Sequence, residues 1–199
     1  MRVITGSARG RRLGDLKGME TRPTTDKVKE SIFNCIQFDV EDARVLDLFA
    51  GTGALALESV SRGAREAVLI DSDRAACESI RKNIASVRME ERCRLVQRDY
   101  RAAMELLSRE GLRFDVVFID PPYRMENTGE MCAELYDRGL LARDFLLVVE
   151  HRRGCAPLLD RRFDAFDLRS YGDTQITFAR RAQESGGTQH DEAAVSGQL

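Results

Sequence analysis

The chain has 199 residues, of which 43% are hydrophobic and 32% charged, with 31 Lys and Arg against 33 Asp and Glu and a formal net charge of −2. That length and apolar content suffice for one good core with a small appendage, and no run approaches the roughly 18 apolar residues of a membrane span. The near-neutral total argues for no nucleic-acid partner until it is resolved by region: residues 1–29 carry eight Lys and Arg against three acids, whereas residues 182–199 carry three acids and no Lys or Arg. The five cysteines (Cys35, Cys77, Cys93, Cys132, Cys155) are odd in number and widely spaced, with no C-x-x-C pair. They read as reduced, mostly buried side chains, and no metal site is expected. With no apolar signal core at the amino terminus, a soluble cytoplasmic protein is expected.

At the amino end, Arg2-Val3-Ile4-Thr5 alternates and passes through Gly6-Ser7-Ala8-Arg9-Gly10 to Arg11-Arg12-Leu13-Gly14, which predicts a small basic β-hairpin. Arg22-Pro23-Thr24-Thr25-Asp26 then leads into a helix over 27–36, with Thr24 or Thr25 as N-cap. Val28, Ile32, Cys35 and Ile36 share one face of it, so it should dock on the main domain as an adaptor.

From residue 44 the pattern is regular. Strands are predicted at 44–48, 66–71, 93–97, 114–119 and 144–150, and helices at 53–62, 73–87, 99–109 and 127–138. Strands apolar on both faces that alternate with helices read as an open α/β Rossmann-like sheet, mostly parallel. Two more strands, 163–170 and 174–180, flank Tyr171-Gly172-Asp173 and add an antiparallel C-terminal hairpin, for seven strands in all. Residues 182–199, without aromatics or periodicity, are expected to be disordered. The organisation read from this is an amino-terminal extension with its adaptor helix over 1–40, a main domain over 41–181 and a tail.

Two strand ends carry the chemistry. Val45-Leu46-Asp47-Leu48-Phe49-Ala50 stops in Gly51-Thr52-Gly53, where glycine lets the backbone approach a ligand and adopt positive φ at the carboxyl edge of the sheet. Asp71, twenty positions after Gly51, is placed to accept from ribose hydroxyls. Gly51-Thr52-Gly53-Ala54-Leu55-Ala56 also satisfies the dinucleotide pattern, so a nicotinamide or flavin oxidoreductase stays open on this loop alone. Asp47 would repel a pyrophosphate but would stabilise a cationic amino-acid group. Asp99 and Tyr100 close the third strand with an acid for an adenine amino group and a ring for its face. S-adenosylmethionine has the matching ammonium, ribose and adenine and no phosphate; Phe49 and Ser72 complete the candidate donor set.

The fourth strand ends in Asp120-Pro121-Pro122-Tyr123. Two prolines remove two backbone donors and leave rigid acceptors beside the Asp120 carboxylate. An exocyclic amino group on a conjugated ring is a weak nucleophile, and acceptors on its N–H bonds stabilise the positive charge that develops as it attacks. Tyr123 offers a surface for base stacking. Asp120, Pro121 and Tyr123 are therefore the candidate catalytic residues for methyl transfer to an amino nitrogen.

Asp47-Leu48-Phe49-Ala50-Gly51-Thr52-Gly53 together with Asp120-Pro121-Pro122-Tyr123 resembles the class I S-adenosylmethionine-dependent methyltransferases that act on amino nitrogens. Arg9-Gly10-Arg11-Arg12-Leu13, Arg22-Pro23-Thr24, Glu30-Ser31-Ile32-Phe33-Asn34 and Tyr171-Gly172-Asp173-Thr174 are similar to the RsmD-type family, over about residues 1–181. That resemblance implies methylation of the exocyclic N2 amino group of a guanine in small-subunit (16S) ribosomal RNA, on an assembled or assembling small subunit. It also implies an RNA-binding amino-terminal element, with Arg9, Arg11, Arg12, Arg22 and Lys27 as candidates, and a monomer is expected. Thr5 and Ala56 stand where the family more often has glycine. Adenine in DNA or RNA, a protein glutamine, and a non-catalytic ribosome-assembly role remain open alternatives.

Overall fold

The computed structural model describes residues 1–14, 26–122, 124–125 and 127–183. In chain order the elements are α1 (Asp26–Cys35), β1 (Arg44–Asp47), α2 (Ala54–Ser61), β2 (Glu66–Asp71), α3 (Arg74–Val87) and β3 (Cys93–Gln97). There follow α4 (Tyr100–Arg109), β4 (Phe114–Ile119), α5 (Thr128–Asp137), β5 (Leu141–Arg152), β6 (Phe163–Tyr171) and β7 (Thr174–Arg181). Val45 and Leu46 of β1 point to opposite faces and both have no exposed surface, as a strand covered by helices on two sides requires. The seven strands run in the order β3-β2-β1-β4-β5-β7-β6, parallel from β3 through β5 and antiparallel in the terminal hairpin. The expected Rossmann-like sheet with its antiparallel edge is thus the observed one.

Two apolar layers clothe the sheet. Val45, Leu69, Val116 and Phe118 pack under α1, α2 and α3 with the amino-terminal Val3, Ala8 and Leu13. Leu46, Ile70, Val117 and Val149 pack under α4 and α5. The chain therefore changes face between β1 and β4, which puts the topological switch point, and the crevice that goes with it, at their carboxyl ends.

Element bounds agree with expectation to within a few residues, with one informative exception. Strand β5 begins at Leu141 rather than 144, because Leu141 pairs with Phe114 across a register shift before Val116. Its next residues, Ala142-Arg143-Asp144, lack the apolar pattern by which a buried strand is recognised. The basic hairpin is reduced to a single antiparallel bridge between Arg2 and Arg12, supported by Val3 N–H to the Arg11 carbonyl at 2.9 Å and Leu13 N–H to the Met1 carbonyl at 3.0 Å. The expected N-cap of α1, and the tail beyond Gln183, lie outside the described residues.

Candidate active site

The sheet register brings the two reactive strand ends together. Asp47 pairs with Leu69 on one side and Phe118 on the other, and Asp71 pairs with Gln97. Counting two residues onward puts Phe49, Asp71, Gln97 and Asp120 in one row along the carboxyl edge.

Asp47 is 2% exposed, and its carboxyl is pushed up to about 7 by burial first, then by the negative charges of Asp120 and Asp71. The backbone N–H groups of Ala56 and Phe49 donate to it and oppose that rise. Since Ala56 lies in the first turn of α2, and the Gly53 N-cap has no side chain to offer, Asp47 does the capping from the neighbouring strand.

The two glycines of the loop serve different purposes. Gly53 has φ +79°, and a Cβ there would lie 2.9 Å from Leu69 Cδ2, with Leu57 and Ile80 also close, so it permits tight packing of α2 on the sheet. Gly51 has φ +55°, but an added Cβ would meet nothing within 4 Å; its face of the loop is open to the crevice. The loop is held by the Gly51 N–H, which donates to Asp71 Oδ2 at 2.9 Å. Asp71 Oδ1 accepts from the Asp73 N–H, also at 2.9 Å, and burial raises the Asp71 carboxyl above the usual range. Asp71 thus shapes the glycine loop, with the Ser72 N–H as a third backbone donor, and its two oxygens together keep acceptor capacity for a hydroxyl.

Asp99 is exposed and caps α4 by accepting the Arg101 N–H at 2.9 Å. Tyr100 is 4% exposed, with its ring centroid 5.3 Å from that of Phe49. Phe49 is the more open of the two rings, and Tyr100 backs it. Ser72 is exposed just beyond Asp71.

On the acceptor side, Asp120 is half-buried and Pro121 buried, and the Pro122 carbonyl accepts the Met125 N–H at 2.8 Å, turning the loop back. Tyr123 lies outside the described residues. A cleft beside Pro121 is lined by Met125, Thr128, His151 and Cys155. His151, which the sequence reading passed over, has Nδ1 3.0 Å from the Arg152 carbonyl and Nε2 2.8 Å from Thr177 Oγ1. A carbonyl only accepts, so Nδ1 carries the proton and the Thr177 hydroxyl donates to Nε2. Burial lowers the His151 pKa in the same sense, towards a neutral ring.

The described basic candidates lie on the surface. Arg9, Arg11, Arg12 and Lys27 are all exposed, while Arg22 lies outside the described residues. What holds their segment was not foreseen. Glu58 of α2 is fully buried and receives four donors: Ile4 N–H at 2.7 Å, Thr5 N–H at 3.0 Å, Lys29 Nζ at 3.1 Å and Arg62 Nε at 2.8 Å. Lys29 is also fully buried, which depresses its pKa, and it donates to the Arg2 carbonyl. Ser61 Oγ accepts the Ala8 N–H at 3.0 Å and donates to the Thr5 carbonyl at 2.6 Å. The signal was available in outline: Glu58 is the one charged residue of α2, and Lys29 stands one turn before Ile32 and Phe33 on the buried face of α1.

A ligand suited to this crevice must tolerate three neighbouring carboxylates. A sulfonium and an ammonium on one molecule meet that demand and a pyrophosphate does not, so the residues present fit S-adenosylmethionine. Fold and site together define a class I S-adenosylmethionine-dependent methyltransferase.

Comparison with known proteins agrees and narrows the class. A family model described as conserved hypothetical protein 95 matches residues 1–180. The Escherichia coli K12 protein named ribosomal RNA small subunit methyltransferase D is 41% identical over 150 residues, covering 75% of this chain and 74% of that one. Its Haemophilus influenzae namesake is 30% identical over 153 residues, covering 75% and 78% respectively. The solved structure of Escherichia coli yhhF superposes with a TM-score of 0.80 at 35% identity, over 92% of this chain and 99% of that one. An RNA methyltransferase from Salinibacter ruber in complex with S-adenosyl-L-homocysteine shares the fold at a TM-score of 0.63 and 16% identity, over 82% and 95%. The chain belongs to the RsmD-type methyltransferase family, as its motifs implied.

Proposed function

We propose that this protein transfers a methyl group from S-adenosylmethionine to the exocyclic N2 amino group of a guanine in small-subunit ribosomal RNA. The observation that carries the reading is geometric: Asp47 pairs with Phe118 across the parallel strands β1 and β4, so the glycine loop after β1 and the Asp120 loop after β4 leave the sheet side by side at one edge. Bound there, S-adenosylmethionine supplies a methyl carbon on a positively charged sulfur that departs as a neutral thioether.

The chain's own residues divide the remaining work. Asp47 receives the ammonium end, Asp71 the ribose, Phe49 with Tyr100 and Asp99 the adenine. Asp120 and the Pro121 carbonyl accept from the target amino group and stabilise its developing positive charge, with Tyr123 stacking on the base. No proton need move before attack, because the nitrogen loses one only after it has gained the methyl group. Arg9, Arg11, Arg12, Arg22 and Lys27 supply phosphate contacts and a salt-dependent affinity, and the target base is turned out of its stack to reach the crevice. The ribosomal target is supported by the names of the relatives, and guanine N2 by the resemblance of the motifs.

The test is nucleoside mass spectrometry after incubation with naked small-subunit RNA, assembled small subunits and DNA. N2-methylguanosine is expected from RNA or particles, and Asp120→Ala is expected to lower its rate by about 100- to 1000-fold, as for loss of one group stabilising transition-state charge. Methylated adenine as the product, or equal rates from both proteins, would overturn the reading.

A further inference from the structure

One side chain joins the glycine loop to the basic segment. Asn83, on α3, is 3% exposed. Its Nδ2 donates to the Thr52 carbonyl at 2.9 Å and to the Gly14 carbonyl at 3.3 Å, while its Oδ1 accepts the Gly14 N–H at 2.7 Å. Both amide hydrogens are therefore committed, one to each region, and the paired bonds to Gly14 copy the way one peptide unit meets another in a sheet. Thr52 is the middle residue of Gly51-Thr52-Gly53, whose two glycines hold left-handed conformations. Gly14 closes the stretch that displays Arg9, Arg11 and Arg12.

Glu58 and Ser61 fasten residues 4–8 to the middle and end of α2, but neither touches the loop that precedes that helix. Asn83 touches the loop itself. A buried amide that loses either partner leaves a polar group unsatisfied, so the positions of Thr52 and Gly14 are energetically tied.

We propose that Asn83 is a positioning residue that couples occupancy of the donor loop to the placement of the RNA-contacting segment, a proposal that rests on the reading of that segment as the RNA contact. Donor binding fixes the Thr52 carbonyl, which fixes the Asn83 amide, which holds Gly14 and the arginines before it. The coupling is reciprocal by linkage: bound RNA tightens donor binding by the factor by which bound donor tightens RNA binding. The consequence for the enzyme is a preference for the donor-loaded form in engaging RNA.

The experiment measures S-adenosylhomocysteine affinity by calorimetry on the full chain, alone and with a saturating small-subunit RNA fragment. Wild type is expected to bind it about tenfold more tightly with RNA present, within the usual range of coupling between sites. In Asn83→Ala, and in Asn83→Asp, which keeps the volume and the acceptor but loses both donations, the ratio is expected to fall to about one. A merely structural role would weaken both affinities and leave the ratio intact, and that result would overturn the proposal. Should neither variant fold, amide exchange in wild type decides the matter: S-adenosylhomocysteine alone should slow exchange at Gly14, and an unchanged rate would overturn it. The triple variant Arg9→Ala/Arg11→Ala/Arg12→Ala separates the two readings. If it binds RNA as wild type does, the RNA assignment fails while the Gly14 exchange still reports the coupling.

Discussion

Helix α2 is served by two buried carboxylates with opposite surroundings. Asp47, from the strand before it, caps its first turn and has other carboxylates, Asp120 and Asp71, for charged company. Glu58, in its middle, meets Lys29, Arg62 and two backbone N–H groups. Both acids accept two backbone N–H groups, but the charged neighbours of one are cations and those of the other are carboxylates. The first arrangement fastens the chain; the second suits a cation, the place proposed above for the ligand's ammonium. Burial alone separates neither case, since both side chains are hidden, and only the sign of the neighbours does.

The comparison is broken most severely at Glu58. Glu58→Ala would leave Lys29 buried without its counter-charge and release the Ile4 and Thr5 N–H groups, with an expected loss of about 3–5 kcal/mol of unfolding free energy. Urea unfolding measures it. The double variant Lys29→Met/Glu58→Leu should recover much of that loss, because an apolar pair of similar volume removes the stranded charge. A Glu58→Ala protein as stable as wild type would refute the anchoring role.

At Asp47 the sign reverses. Its folded pKa of about 7 stands above the ordinary carboxyl value of 3.8, so between those two pH values the folded protein holds a proton that the unfolded chain has released. Stability contributed by the protonated carboxyl is fully present below pH 3.8 and is lost as pH rises through 7. The displacement corresponds to about 4 kcal/mol at most. Asp47→Asn, which mimics the protonated form, should therefore be more stable than wild type at pH 8 by about 1–4 kcal/mol, with the gap closing towards pH 4. The same variant should bind S-adenosylhomocysteine about 10- to 100-fold more weakly, the equivalent of one charge-assisted hydrogen bond.

A smaller effect follows from the same titration. If Asp47 pairs with the ligand's ammonium as proposed, its proton must be displaced below pH 7, so wild-type affinity should fall by up to about tenfold per pH unit, and Asp47→Asn should show a flat profile across that range. Calorimetry from pH 5.5 to 8 gives both curves, and parallel curves would assign the pH dependence to another group.

The contrast also explains what could be read in advance. The parallel strands were evident because burial on both faces forces uninterrupted apolar runs such as Val116-Val117-Phe118-Ile119. Asp47, Gly51, Asp71 and Asp120 were evident because strand ends in an open sheet meet at one edge, so their proximity follows from topology. Glu58 with Lys29, and Asn83 with Thr52 and Gly14, were not. Their partners come from separate elements brought together by tertiary packing, and no period of 2 or 3.6 residues records such a meeting. Asp47 shows the limit from the other direction: its place at the ligand edge was legible, but its capping of α2 depends on where Ala56 falls after the turn.

The mildest test lies at the far end of α2, where Ser61 joins the basic segment through an uncharged group. Ser61→Ala removes one acceptor for the Ala8 N–H and one donor to the Thr5 carbonyl. The backbone bond from Ser7 N–H to the Ser61 carbonyl at 2.8 Å survives the substitution. The expected loss is about 1 kcal/mol of stability, the net worth of a neutral hydrogen bond. Because that loss is confined to the segment, it can weaken RNA binding by no more than about fivefold and should leave S-adenosylhomocysteine affinity without RNA unchanged. Electrophoretic mobility shifts with small-subunit RNA read the first quantity and calorimetry the second. A fall in ligand affinity to match the RNA effect would mean that α2 transmits strain along its length, and the division between a fastening end and a binding end would not hold.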